Sequence, residues 1–144
     1  KGINTNFEYL DQRVAASFVV YPQPLGFQAE YNVGTGPEYN SATKTIDQKK
    51  LKGGYMMVSY ALKLQKNQLF PFARYHYYQG GKKHELDARS YNVEDMDAGI
   101  EWQFNKNFEF TAMYTISKRR YEDAAKPSNN QAGNLLRLQA QVNF

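Results

Sequence analysis

A chain of 144 residues, 42% hydrophobic, 22% charged and 15% aromatic, holds one ordinary domain or one piece of a larger one. It has no cysteine, which excludes a disulfide framework, thiolate metal sites and cysteine nucleophiles, and its net charge of +4 is too small to point to nucleic acid. Twelve Tyr, nine Phe and one Trp accompany a mean hydropathy of -0.73, a combination that fits strands alternating apolar and polar residues. No run approaches the roughly 18 apolar residues of a membrane helix. No signal segment opens at Lys1, so the chain reads as mature, processed or a fragment.

In chain order, Lys1 to Gln12 shows no clear pattern, and Val14 to Tyr21 is strand-like but alternates weakly. Leu25, Phe27, Ala29, Tyr31 and Val33 then share one face, and Met56, Val58, Tyr60 and Leu62 another. Pro71, Ala73, Tyr75 and Tyr77 face away from Phe72, Arg74, His76 and Tyr78. Met96, Ala98, Ile100, Trp102 and Phe104 alternate with Asp95, Asp97, Gly99, Glu101 and Gln103. After the polar turn Asn105-Lys106-Asn107, Phe108, Phe110, Ala112, Tyr114 and Ile116 repeat the pattern, so the two runs predict a hairpin. Leu136, Leu138, Ala140, Val142 and Phe144 close the chain opposite Leu135, Arg137, Gln139, Gln141 and Asn143. Period two puts each apolar set on one side of a strand.

Short links at 22–24, 65–68 and 105–107 take turns with long polar links at 34–50, 80–92 and 122–133. In an up-and-down sheet this puts every tight turn at one end and every long loop at the other, the asymmetry of outer-membrane barrels. Alternation alone also fits a soluble sandwich. Three features favour lipid on the apolar side. The strands are about ten residues long, aromatics such as Trp102, Phe104, Phe108, Phe110, Tyr77 and Phe144 sit near strand ends, and the opposite face carries Glu30, Arg74, Asp95, Asp97, Glu101, Glu109 and Arg137.

The segments Leu25 to Tyr31 after the Pro22/Pro24 turn, Gly53-Gly54-Tyr55 leading to Ser59-Tyr60, Leu69 to Tyr75, Gly99 to Trp102 and Asn134 to Gln139 together resemble the C-terminal part of phosphate-selective porin O and P family proteins. The resemblance covers most of residues 24–144 and keeps the order of elements. It implies an all-β, antiparallel up-and-down transmembrane barrel of sixteen strands, typically trimeric, in the outer membrane of Gram-negative bacteria. Such proteins are channels for passive diffusion of small solutes, anions such as phosphate among them. Residues 1–144 then form the C-terminal portion of one barrel domain, about seven to eight strands, with the rest upstream. The terminal strand closing on Phe144 is similar to the signal read by the barrel-assembly machinery. The alternative reading takes Ile3 to Tyr9 as an eighth strand and gives a small closed barrel, or a soluble β module, binding through its loops.

No catalytic constellation, metal site or cofactor site emerges. His76 and His84 lack partners at metal or triad spacing. Asp95, Asp97 and Glu101 share a strand face but lie about 7 Å apart per step, too far to converge on one ion. Gly34-Thr35-Gly36-Pro37 lacks the third glycine of a dinucleotide fingerprint. Candidate channel-lining or anion-attracting residues are therefore Arg74 and Arg137 on the wall, with Lys49, Lys50, Lys52, Lys82, Lys83 and Arg119 in the basic loops. The same loop charge also suits contact with outer-membrane lipid and anionic lipopolysaccharide. The acidic wall residues leave the sign of any ion preference open.

Overall fold

The computed structural model describes residues 9–81, 88–122 and 125–143. They form one antiparallel sheet of β1 (Gln12–Val20), β2 (Leu25–Asn40), β3 (Thr45–Tyr60), a two-residue β4 (Leu62–Lys63), β5 (Gln68–Gly81), β6 (Ser90–Asn105), β7 (Phe108–Tyr121) and β8 (Asn130–Val142). The strands pair in the order β1-β2-β3-β5-β6-β7-β8, with β4 on β5. The fold is all-β and up-and-down, and its seven long strands are those that the period-two runs predict. Among the described residues β1 and β8 do not pair, so the sheet they form is open. Ile3 to Glu8, the predicted extra strand apart from Tyr9, lie outside the described residues, as do Lys82, Lys83, His84 and Phe144.

The separation of β4 from β3 has a local cause. Register runs unbroken from Ser59↔Phe72 to Leu62↔Leu69, so the missing rungs lie opposite Phe70 and Pro71. Proline has no N–H to offer the ladder. Ala61 instead donates its own N–H to the Pro24 carbonyl at 2.7 Å.

Two expectations need correction. The link at 34–50 is not a loop: β2 and β3 stay paired out to Asn40↔Thr45 and close through residues 41–44. Side-chain hydrogen bonds make so tight a turn possible. Asn40 Nδ2 donates to Asp47 Oδ2 at 2.8 Å, Thr45 Oγ1 to Asp47 Oδ1 at 2.9 Å, and the Ala42 N–H to Asn40 Oδ1 at 3.1 Å. The Asn40 bond, then the Thr45 bond, hold the Asp47 carboxyl below its ordinary pKa. Strand lengths also exceed ten residues, with 16 in β2, β3 and β6 and 14 in β5 and β7. Periodicity understated them because both faces turn polar toward the loop end, which erases the contrast that periodicity measures.

Burial is inverted relative to a soluble sheet. Met96, Ile100, Tyr114, Leu136 and Leu138 are exposed, Met96 at 59%, whereas the intervening Asp95, Asp97 and Thr115 are buried, Asp97 at 2%. On the polar face side chains converge across strands: Arg74 Nη2 of β5 lies 3.9 Å from Met113 Sδ of β7, reaching over β6. We call this the inner face. Gly99 makes room on it for Phe72; a Cβ at Gly99 would lie 2.6 Å from Phe72 Cζ and 2.7 Å from the Ala112 carbonyl oxygen. At the loop end the buried Leu51 packs against Gly36 and Gly80, and Tyr39 donates its N–H to the Ala88 carbonyl at 2.8 Å. Gly80 has φ +150 there, a conformation that a side chain would strain.

Candidate channel wall

The wall is built rung by rung from cross-strand partners. Arg74 of β5 faces Asp97 of β6, which faces Thr115 of β7. Arg74 Nε and Nη2 donate to Asp97 Oδ2 at 2.8 and 2.6 Å, and Thr115 Oγ1 donates to Asp97 Oδ1 at 2.6 Å. A buried carboxylate needs this saturation, because an unpaired charge there is costly. One rung toward the loops, His76 Nε2 lies 2.9 Å from Asp95 Oδ2, while Asp95 Oδ1 is buried without a hydrogen-bond partner among the described residues. Toward the turns, Gln103 Nε2 donates to Glu101 Oε1 at 2.8 Å.

The predicted site residues separate into distinct environments. Arg74 is on the inner face as expected, but tied to Asp97 rather than presented as a free cation. Arg137 is inner and exposed, opposite the apolar Met113. Lys49, Lys50 and Lys52, expected around a loop, stand on β3, where parity divides them. Lys49 points inward, 3.4 Å from Glu38 Oε1, whereas Lys50 and Lys52 point outward. Lys118, Arg119 and Arg120, also expected in a loop, belong to β7. Arg119 is inner and donates from Nε to Ser117 Oγ at 3.2 Å; Lys118 and Arg120 are outer. No group of three or more potential ligands capable of holding a metal occurs among the described residues.

Sequence reasoning missed the Arg74–Asp97–Thr115 network. Counting back from the Asn105↔Phe108 pair places Asp97 opposite Ile116. A register shift between Gln103 and Asn105 moves it opposite Thr115. Such an irregularity re-aims every following side chain. The signal was available: only a shifted register puts both apolar runs of the hairpin on one face.

An antiparallel sheet with apolar residues outside and charged residues hydrogen-bonded inside is wall material of a β-barrel membrane channel. The match to known families agrees. Residues 3–144 match phosphate-selective porin O and P, and the chain belongs to that family, a family of channels rather than an enzyme class. No curated protein and no solved structure gives a significant match.

Proposed function

We propose that the chain is the C-terminal portion of a sixteen-stranded outer-membrane barrel that lets small solutes diffuse passively, anions such as phosphate among them. The observation that carries this reading is the inverted burial of β6, where Met96 is 59% exposed beside Asp97 at 2%. Further strands join the edges of β1 and β8, which are unpaired among the described residues, since open edges in a membrane leave backbone groups without partners. The family match supports an outer-membrane location and an oligomer, which we take as a homotrimer. The reading adds delivery by the barrel-assembly machinery through the C-terminal strand, and contact with lipopolysaccharide at the loop end.

Within the lumen, Arg137 is the strongest of the candidate anion-attracting residues, because Arg74 and Lys49 sit on Asp97 and Glu38 and Arg119 donates to Ser117. Full-length protein in planar bilayers should give stepwise conductance with a reversal potential favouring anions. Correctly folded protein without channels would defeat the porin reading, and a cation preference insensitive to Arg137 the anion reading.

A further inference from the structure

We infer that the outer face at the loop end of β3, β6 and β7 binds the phosphate groups of the phosphorylated glycolipid of the outer leaflet, through Lys52, Lys118 and Arg120. The inference rests on the porin reading and adds the site and its chemistry.

The outer face changes character over two rungs. Ala29, Met56, Tyr75, Met96 and Ile116 form one apolar row across β2, β3, β5, β6 and β7. The next outward-facing row holds Tyr31, Gly54, Tyr77, Glu94 and Lys118. The one beyond runs Lys52, Gln79, Asn92, Arg120 and Asn130, from β3 to β8. Each rung advances about 7 Å along the strand, so hydrocarbon-facing side chains give way to cations and amides within one headgroup's depth. Tyr31 and Tyr77 occupy the boundary, where amphipathic rings belong.

Three inward cations rest on carboxylates, Arg74 on Asp97, Lys49 on Glu38 and Arg13 on Asp11 at 3.0 Å, while inward Arg119 donates to Ser117 and Arg137 stays exposed. Outward Lys50, Lys52 and Lys118 have no carboxylate within ion-pair distance among the described residues, and Glu94 is the only acid in these three rows. Lys118, Arg120, Asn92, Asn130 and Glu94 line a cleft of about 320 Å³. In Arg120, Nε is buried with no hydrogen-bond partner among the described residues. A planar guanidinium, a mobile ammonium and amide N–H groups beside an apolar band match a phosphate monoester carried on acyl chains. The opposite face of the sheet is the lumen, so these cations do not sit on a solute's path. The turn asymmetry makes the loop end extracellular, where the phosphate-bearing lipid is a glycolipid rather than a glycerophospholipid.

The test uses full-length protein in detergent, titrated with bisphosphorylated lipid A and with the same lipid after enzymatic dephosphorylation, bound lipid being counted by native mass spectrometry. Wild type should bind the phosphorylated form more tightly. The K118Q/R120Q double variant should lose about tenfold or more in affinity, the effect of one charge-assisted contact. Glu94→Gln should gain affinity. Both variants should keep wild-type conductance, which also certifies folding. Unchanged affinity in K118Q/R120Q, equal binding of dephosphorylated lipid, or equal competition by phosphatidylglycerol would overturn the inference. Loss of conductance in the wild type would instead defeat the porin reading on which it rests.

Discussion

Two inward arginines, Arg74 on β5 and Arg137 on the edge strand β8, stand in opposite electrostatic states. Arg74 meets Asp97 directly across the ladder and is neutralised there, whereas Arg137 meets Met113 and stays exposed. Residue type and inward parity are the same in both. What differs is the side chain one strand over on the same rung, so the charge a solute meets is set by register rather than by the number of arginines.

The sharpest way to extend the comparison is to place an arginine in a third setting. Ala112→Arg puts it on the outer face beside Met113 and should destabilise the protein by about 2–4 kcal/mol in lipid, while Thr111→Arg, on the inner face, should be mild. Urea titration of protein folded in vesicles reads the difference; equal effects would mean that the faces are wrongly assigned. Next in size is Arg74→Met, which strands the buried Asp97 and should lower stability by about 1–3 kcal/mol. The R74M/D97L double variant should recover most of that loss, because removing a whole pair avoids the orphaned charge. Arg137→Met, with no partner to strand, should be close to neutral for stability.

Selectivity gives a subtler contrast, measured as reversal potential under a salt gradient. Arg137→Met should shift it toward cations, most at low salt where screening is weakest, whereas R74M/D97L, which removes no net charge, should leave it in place. Lys50→Gln with Lys52→Gln should also leave it unchanged, while Lys49→Gln frees Glu38 and shifts it toward cations. The smallest effect lies at the β2–β3 tip. Asp47 has a lowered pKa in the folded protein, so its hydrogen bonds stabilise the tip above the unfolded value near 3.8 and are lost as pH falls through the lower folded value. Amide exchange at residues 41–44 should therefore quicken only in strongly acidic solution, with the sheet unaffected.

How much of this was legible depends on contrast. The runs 96–104, 108–116 and 136–142 state their faces openly, since the inward positions other than Gly99 and Met113 are polar and each outward one apolar, and the structure follows them. At the loop end Lys49, Lys50 and Lys52 sit among other polar residues, so no pattern marks a strand there. Tertiary pairing extends β2 and β3 regardless. Adjacency in sequence also misleads on a strand: three nearby lysines look like a cluster, yet neighbours point to opposite sides of the wall. The Asp97–Thr115 pair was hidden by the register shift near Asn105, because a contact between strands is fixed only once every intervening rung is counted.

The β2–β3 hairpin has a practical consequence. Its tip, residues 41–44, is held by Asn40, Thr45 and Asp47, all within the hairpin, while the Tyr39 to Ala88 bond and the buried Leu51 anchor its base to the neighbouring connection. A short epitope or a single cysteine for dye attachment, inserted between Ala42 and Thr43, would sit in a turn that the hairpin's own side chains hold. Whole cells could then be stained from outside, turning the orientation of the chain into something seen under a microscope.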